Sequence, residues 1–195
     1  MTKKRLYLLG AGGAAREIIS ECKNRFSEIL TVEKNASNNT ISEEQFISAY
    51  TKNDIVVLAV GNTVVREKIL DKLNGIIEFS NLVLTDNIVE IRGKNNVLLP
   101  GVRCHGCIGN HNYLNYDVFV GHDSMILDNN IIGPRATILG MCRISNSFVG
   151  SGAILDPGVE LEDCIVSSGM KVPKGIYKSK ILISNDQGFL QMAKV

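Results

Sequence analysis

The chain has 195 residues and a formal net charge of +1, and 45% of its residues are hydrophobic and 21% charged. These values predict one domain or two small ones and exclude a disordered chain. The balanced charge argues against nucleic acid as a partner, because phosphate binding needs a basic surplus or patch. The apolar runs are far shorter than the roughly 18–20 residues that cross a bilayer, so we expect a cytoplasmic protein without a membrane segment.

The first part of the sequence alternates apolar runs typical of buried strands with segments of helical periodicity. This order predicts a small parallel sheet with helices packed on it, about half of a full dinucleotide-binding fold. The predicted strands cover residues 5–9, 29–32 and 54–60, and the predicted helices cover residues 16–22, 42–49 and 63–73.

A glycine-rich segment follows the first predicted strand, with Gly10, Gly12 and Gly13 in the pattern G-x-G-x-x-A. Glycines there let the backbone approach a phosphate, and the N-terminus of the following helix favours negative charge. Glu33 ends the next strand, where an acceptor for a ribose hydroxyl belongs. The short domain fits a mononucleotide or nucleotide sugar better than NAD, and the alternative is a tight strand-to-helix turn without a ligand.

A second candidate segment follows the third predicted strand and contains Gly61 and Asn62. Ligands bind at this end of the strands in open α/β sheets, so both residues are candidates for substrate binding. Arg66, one helical turn further on, either pairs with a phosphate or is a solvated helix residue.

The second part of the sequence has a six-residue period. Such a period predicts a parallel β-helix, in which aliphatic residues point inward and three hexads complete a coil. About five coils fit residues 80–177, and a β-sandwich is disfavoured because its strands alternate with period two. The aliphatic positions are Ile108, Leu114, Val120, Ile126, Ile132, Ile138 and Ile144, then after one slip Val149, Leu155 and Leu161, and after another Val166 and Val172.

Two polar residues, His122 and Asp123, follow the inward Val120 at a predicted corner, where side chains point outward. Imidazole suits proton transfer near neutral pH, and a neighbouring carboxylate can orient the ring. The alternative is a surface histidine beside a solvated aspartate, and position alone leaves both readings open.

The chain has five cysteines, an odd number that favours reduced thiols over a disulfide framework. Cys104 and Cys107 form a C-x-x-C pattern around His105, with His111 nearby, which allows a zinc site. Since no second pair follows, we favour packing of Cys107 within the repeat and expect no metal.

Three segments of the chain together carry a resemblance: Leu8 to Ile18, Ala59 to Asn62 with Arg66 and Lys68, and Leu114 to Asp123. They resemble a family of bacterial sugar acetyltransferases that includes sialic acid O-acetyltransferases and N-acetyltransferases of UDP-linked 4-amino sugars. The resemblance covers about residues 5–175.

The resemblance implies a left-handed β-helix that assembles as a homotrimer, with acetyl-CoA between adjacent helices and the nucleotide part of the sugar in the N-terminal domain. It implies that His122 is the general base, that Asp123 supports it, and that the Gly140 N–H stabilises the oxyanion. Three features depart from the family. Ile131 stands where some members have a second histidine, and Lys34 follows Glu33 where some members have two adjacent acids. The C-terminal segment also differs from the one that closes over CoA.

We therefore expect a Rossmann-like nucleotide-sugar-binding domain over residues 1–76, a left-handed parallel β-helix over 77–177 and a C-terminal tail over 178–195. The expected activity is acetyl-CoA-dependent acetylation of an amino or hydroxyl group of a sugar or nucleotide sugar, such as a UDP-sugar, without a metal. One alternative is a non-catalytic nucleotide-sugar-binding scaffold trimer that has lost CoA binding. Another, an NAD-dependent enzyme, is disfavoured by the short first domain. His105 and His111 are expected to tolerate replacement by alanine.

Overall fold

The computed structural model describes residues 4–37, 39–184 and 190–194. The chain divides after Leu82 into two compact units. This boundary lies beyond residue 76, where the sequence placed it. The reason is that Ile77 is buried in the core of the first unit and Ser80 donates a backbone hydrogen bond to Val56 (2.8 Å).

The first unit is the small parallel sheet with helices that the alternating pattern predicts. Every predicted strand and helix is present within a few residues of its expected bounds, and one short strand is added. Its elements are β1 (Arg5–Leu9), α1 (Gly13–Cys22), β2 (Glu28–Glu33), β3 (Ile41–Ser42), α2 (Glu43–Ala49), β4 (Ile55–Leu58) and α3 (Thr63–Leu73).

The four strands are parallel and lie in the order β3-β2-β1-β4. Because β1 lies between β2 and β4, the direction of winding changes beside β1, which in open α/β sheets is where ligands bind. Helices α1 and α3 begin directly after β1 and β4, so both N-termini lie at the carboxyl edge of the sheet. The core of this unit includes the rings of Tyr7 and Phe46, which contact each other at a tilt of 55° (4.9 Å between centroids).

The second unit consists of short strands joined by corners. In chain order they are β5 (Leu82–Val83, across the boundary), β6 (Asn87–Ile91), β7 (Val97–Leu98), β8 (Arg103–Ile108), β9 (Tyr113–Leu114), β10 (Phe119–Val120), β11 (Met125–Ile126), β12 (Ile131–Ile132), β13 (Thr137–Ile138), β14 (Arg143–Ser145), β15 (Phe148–Val149), β16 (Ile154–Leu155), β17 (Glu160–Glu162), β18 (Ile165–Val166), β19 (Lys171–Val172), β20 (Ile176–Lys178), β21 (Lys180–Ser184) and β22 (Leu190–Lys194).

Most of these strands stack in parallel as three faces of a β-helix. The first face contains β10, β13, β16 and β19, the second contains β11, β14, β17 and β20, and the third contains β7, β9, β12, β15, β18 and β21. The predicted inward positions from Ile108 to Ile144 are all fully buried, which confirms the six-residue repeat. The two slips are also confirmed. Ile132 pairs with Val149 and Val149 pairs with Val166, and each partner comes one residue earlier in the chain than three full hexads would place it.

The β-helix is longer than the sequence indicated, with about six coils rather than five. The expected tail from residue 178 is corrected in part. β20 ends at Lys178, β21 continues the third face by pairing Val166 with Leu182, and β22 returns antiparallel to β21. Part of that tail, residues 185–189 and 195, lies outside the described residues. No helix of the described part of the chain is long and apolar enough to cross a membrane.

The corners between the first and second faces differ in length. Residues 121–124 form one such corner, which we call the His122 corner, and residues 139–142 form the equivalent corner of the next coil. One coil earlier, only His105 and Gly106 separate the paired positions Cys104 and Cys107. β8 therefore crosses this edge of the β-helix as one continuous strand, beneath the His122 corner.

A ladder of buried polar side chains runs along the edge before the third face. The Asn112 N–H donates to Asn96 Oδ1 (2.9 Å) and the Asn130 N–H to Asn112 Oδ1 (3.0 Å). The ladder continues from the Ser147 N–H to Asn130 Oδ1 (2.9 Å) and from the Cys164 N–H to Ser147 Oγ (3.0 Å). Each side chain thus satisfies the backbone of the next coil at a corner that has no strand pairing of its own.

Candidate active site

The His122 corner is held from both sides by hydrogen bonds to the following coil. The Gly121 N–H donates to the Ile138 carbonyl (2.8 Å), and Ser124 Oγ donates to the Leu139 carbonyl (2.8 Å). Asp123 has a φ of 60°, the left-handed conformation that aspartate tolerates better than most residues. The buried Gly121 and Ser124 therefore anchor a turn whose two middle residues, His122 and Asp123, are exposed as the sequence predicts.

Gly140 lies directly beyond His122 in the next coil. The His122 carbonyl accepts a hydrogen bond from the Met141 N–H (2.9 Å), and the Gly140 carbonyl accepts one from the Gly158 N–H (3.0 Å). Within residues 4–37, 39–184 and 190–194, the Gly140 N–H has no acceptor. The structure thus places a free backbone donor next to the His122 corner, which is the arrangement an oxyanion site needs.

The imidazole of His122 contacts another ring rather than a carboxylate. Its centroid lies 4.8 Å from that of His105, with 29° between the ring planes. His105 in turn lies 5.8 Å from the ring of Phe119. No hydrogen bond joins the side chains of His122 and Asp123, or either side chain to another described residue. The contact with His105 was not foreseen from the sequence, which set His105 apart from the site.

A cleft of about 270 Å³ lies next to the His122 corner, on the side of the preceding coil and over its short corner. Glu90 and Arg92 form a bidentate ion pair there, with both N–O distances at 2.9 Å, and the hydrogen bond from Arg92 lowers the pKa of Glu90. The cleft is lined by Val89, Glu90, Arg92, His105, Gly106, Cys107, Asp123, Ser124 and Met125. It offers charged and polar groups within reach of Asp123.

The cysteines of this region are thiols. Burial raises the pKa of Cys104 to about 11, which makes its thiol a poor nucleophile and a poor metal ligand at neutral pH. Cys107 is partly exposed and lines the cleft. Across the described ranges, no three His, Cys, Asp or Glu side chains are arranged to hold a metal ion.

In the first unit, the glycines after β1 occupy two different environments. Gly10 has a φ of 109°, and a Cβ there would lie 2.7 Å from Val60 Cγ2 and 3.0 Å from the Ala59 carbonyl oxygen. Glycine is therefore required at this position to bring the end of β1 against the end of β4. A Cβ at Gly12 or Gly13 would meet no described atom within 4 Å, so open space lies in front of the N-terminus of α1.

The segment after β4 is shaped by Asn62 and Arg66. Asn62 caps α3 by accepting a hydrogen bond from the Val65 N–H (3.0 Å). The side chain of Arg66 is fully buried and donates to the carbonyls of Leu58 and Val60, each at 3.2 Å. Of the two alternatives for Arg66, the solvated helix residue is wrong, because the side chain is buried and holds the backbone at the end of β4. Pairing with a phosphate stays a prediction.

The remaining site residues of the first unit, Gly61 and Glu33, are exposed. Glu33 ends β2, where the sequence places it, and its carboxylate accepts a hydrogen bond from Thr40 Oγ1 (3.3 Å). Gly10, Gly12, Gly13 and Gly61 lie at the ends of the adjacent strands β1 and β4, while Glu33 lies at the end of β2 on the other side of β1.

No protein-family profile and no curated protein sequence matches this chain. Solved structures do. The acetyltransferase domain of PglB from Neisseria gonorrhoeae has 17% sequence identity and a TM-score of 0.79, with 98% of this chain and 100% of that one covered. A mutant of perosamine N-acetyltransferase from Caulobacter crescentus, in complex with CoA and GDP-perosamine, has 20% identity, a TM-score of 0.81 and 97% of both chains covered.

WeeI from Acinetobacter baumannii, with 20% identity and a TM-score of 0.73, covers 97% of this chain and all of its own. The coverage in all three cases extends over both compact units. The chain therefore shares its fold, from the parallel sheet through the β-helix, with these three proteins.

Proposed function

We propose that the protein is an acetyl-CoA-dependent acetyltransferase that acts on an amino or hydroxyl group of a nucleotide sugar. The observation that carries this proposal is the pairing of an exposed imidazole at His122 with a backbone donor at Gly140 that has no acceptor in the described chain. Support comes from the structural neighbours, one of which binds acetyl coenzyme A and another CoA with GDP-perosamine.

In this mechanism, His122 accepts the proton that the sugar nitrogen or oxygen loses as it attacks the thioester carbon. The carbonyl oxygen gains negative charge in the tetrahedral intermediate, and the Gly140 N–H donates a hydrogen bond to it. Collapse of the intermediate breaks the carbon–sulfur bond, and His122 returns the proton to the leaving thiolate. Asp123, the next residue of the corner, supports the imidazolium electrostatically. The products are the acetylated sugar and CoA.

We further propose that the first unit is a Rossmann-like half-domain that binds the nucleotide part of the substrate. Its phosphates lie in the open space before α1, against the N–H groups of Gly12 and Gly13. Gly10 supports this approach by bringing β1 close to β4. The ribose reaches Glu33, whose carboxylate is exposed at the end of β2.

The segment after β4 completes this proposed nucleotide site. Gly61 and Asn62 form its second wall, since they follow the strand next to β1. Arg66 acts indirectly, because its buried guanidinium fixes the carbonyls of Leu58 and Val60. A nucleoside diphosphate supplies the anionic group and the ribose that these residues suit.

We also propose that the β-helix is left-handed and that the cytoplasmic protein is a homotrimer. Its third face exposes large apolar side chains in one column, Phe148 at 37% and Ile165 at 41%. Adjacent exposed apolar residues on a flat sheet face are typical of a surface that packs against another chain. Analytical ultracentrifugation at micromolar concentration is expected to show three chains per particle, and a monomer would contradict the proposal.

The deciding experiment measures acetyl transfer from acetyl-CoA to a panel of amino-sugar nucleotides. His122→Ala is expected to lower kcat by about 10²–10⁴-fold, the usual contribution of a positioned base, while acetyl-CoA still binds. The matched control is His111→Asn, because asparagine tolerates the φ of 60° at that position. Nucleotide-sugar binding without transfer by the parent protein would instead favour the scaffold alternative.

The nucleotide site has its own test, Gly12→Leu, measured by calorimetric titration with UDP, GDP and their sugars. Because the space before Gly12 is open, the variant is expected to fold as the parent does and to lose nucleotide affinity. Ser20→Leu, at an exposed position further along α1, is the control for a new apolar side chain on this helix. Equal nucleotide affinity of parent and Gly12→Leu would remove this segment from the substrate site.

A further inference from the structure

We propose that His105 is a positioning residue, whose ring holds the imidazole of His122 in the orientation required for proton transfer. The inference rests on the proposed function for its catalytic meaning. It rests on the structure for the contact, since the two rings stack with centroids 4.8 Å apart and planes inclined by 29°.

His122 needs such a support because its side chain is otherwise unrestrained. It is exposed at the top of a turn, and no described residue forms a hydrogen bond to its ring. An imidazole on two rotatable bonds samples several orientations, whereas a general base acts only when its nitrogen points at the proton it accepts. Offset or tilted ring contacts at these distances restrict rotation by favouring one relative geometry.

His105 can act as a support because its own backbone is fixed. It lies in the middle of the continuous strand β8, between Cys104 and Gly106, and Cys104 is fully buried. A Cβ at Gly106 would lie 2.2 Å from the Ser124 carbonyl oxygen, so only glycine lets β8 pass this close under the His122 corner. The half-buried ring of His105 therefore rises from a rigid base directly below His122.

The ring of His105 also contacts a second ring. Phe119 lies 5.8 Å from it at an angle of 57°, and the guanidinium of Arg103 lies 5.7 Å from the centre of the Phe119 ring. A chain of contacts thus leads to His122: Arg103, Phe119, His105, His122. Of these three rings, His122 is exposed, whereas Phe119 and His105 are half-buried.

The contact can be tested without any activity, because the chain has three histidines and so gives three imidazole signals in NMR spectra. Single replacements assign the signals. We expect a nuclear Overhauser effect between the ring protons of His105 and His122. We also expect a shift of the His122 signal in His105→Ala, with the His111 signal unchanged. Absence of the Overhauser effect in the parent protein overturns the inference, whatever the enzyme does.

The catalytic consequence is tested with three variants at one position. His105→Phe keeps a flat ring and is expected to retain kcat within about threefold, whereas His105→Leu and His105→Ala lose at least about tenfold because the base is misplaced. KM for acetyl-CoA and the melting temperature should change little across the three. Equal kcat for the parent and His105→Ala, or equal losses for Phe and Leu, would refute a positioning role. In either case the activity of the parent, and with it the proposed function, still stands.

Discussion

Gly121→Ala tests the proposed oxyanion donor by moving it rather than removing it. An ideal Cβ at Gly121 lies 2.8 Å from the Gly140 nitrogen and 2.9 Å from the Leu139 carbonyl carbon. Ordinary van der Waals contact begins near 3.4 Å, so the two coils must separate by about 0.6 Å at this point. Because both crowded atoms belong to the backbone, no side-chain rotation relieves the contact.

The expected result is a loss of activity larger than the loss of stability explains. Overpacking of this kind costs about 1–3 kcal/mol of the free energy of unfolding. Deleting a whole oxyanion donor costs about 10²–10³ in kcat, and a displacement of about half an ångström retains part of that hydrogen bond. We therefore expect kcat to fall by about 10–100-fold, with the KM for acetyl-CoA close to that of the parent.

Gly133→Ala is the matched control, since a Cβ at Gly133 would lie 2.7 Å from the Ser151 nitrogen at a corner without His122. Both variants should lose similar stability in urea denaturation. Only Gly121→Ala should lose turnover in an assay of free thiol released from acetyl-CoA. Equal turnover in both variants would show that the Gly140 N–H does not contribute, and the oxyanion assignment would then be withdrawn.

Three other outcomes are expected. Burial raises the pKa of Asp54, but hydrogen bonds from Arg5 and Thr51 lower it by more. The net effect is a pKa below the ordinary value of an aspartate. Asp54→Asn should therefore lower the free energy of unfolding by about 2 kcal/mol at pH 7. The unfolding free energies of parent and variant from urea titrations should converge as the pH falls through the carboxyl range. Absence of this convergence would disprove the coupling. Iodoacetamide at pH 8 should label Cys107 well before Cys104, as peptide mass spectrometry can check; equal rates would contradict the buried thiol. Asn112→Ala should lower the free energy of unfolding by about 1–3 kcal/mol, because it leaves buried N–H groups without an acceptor, whereas an unchanged urea midpoint would mean that water replaces the ladder.

The inward column of the β-helix could be predicted from the sequence because each coil imposes the same requirement on the chain. Every position from Ile108 to Ile144 in the six-residue phase is enclosed by the coils on either side, so only aliphatic side chains fit there. The strands and helices of the first unit were predictable for a similar reason. Their apolar residues must face one core, and this gives each element its period.

The contacts between coils could not be predicted, because they depend on how many residues each corner contains. His105 precedes His122 by 17 residues and lies directly beneath it only because its own corner is two residues shorter. One signal was available, since the buried residues Cys104 and Ile108 are four apart instead of six. Arg66 gave no such signal, because an arginine in a helix next to a polar turn is usually solvated.

The short corner and the candidate site are consequences of one another. Val120 pairs with Cys104 and Ile126 with Ile108, so the inward column is unaffected by the two additional residues between them. The additional length has no place inside the coil and must project outward, which it does as His122 and Asp123. The same projection leaves a step above β8, and that step is the cleft. A change in the length of one corner is therefore enough to create an exposed histidine, the ring stacked against it and the adjoining cleft, while the repeat that holds the β-helix together stays unchanged.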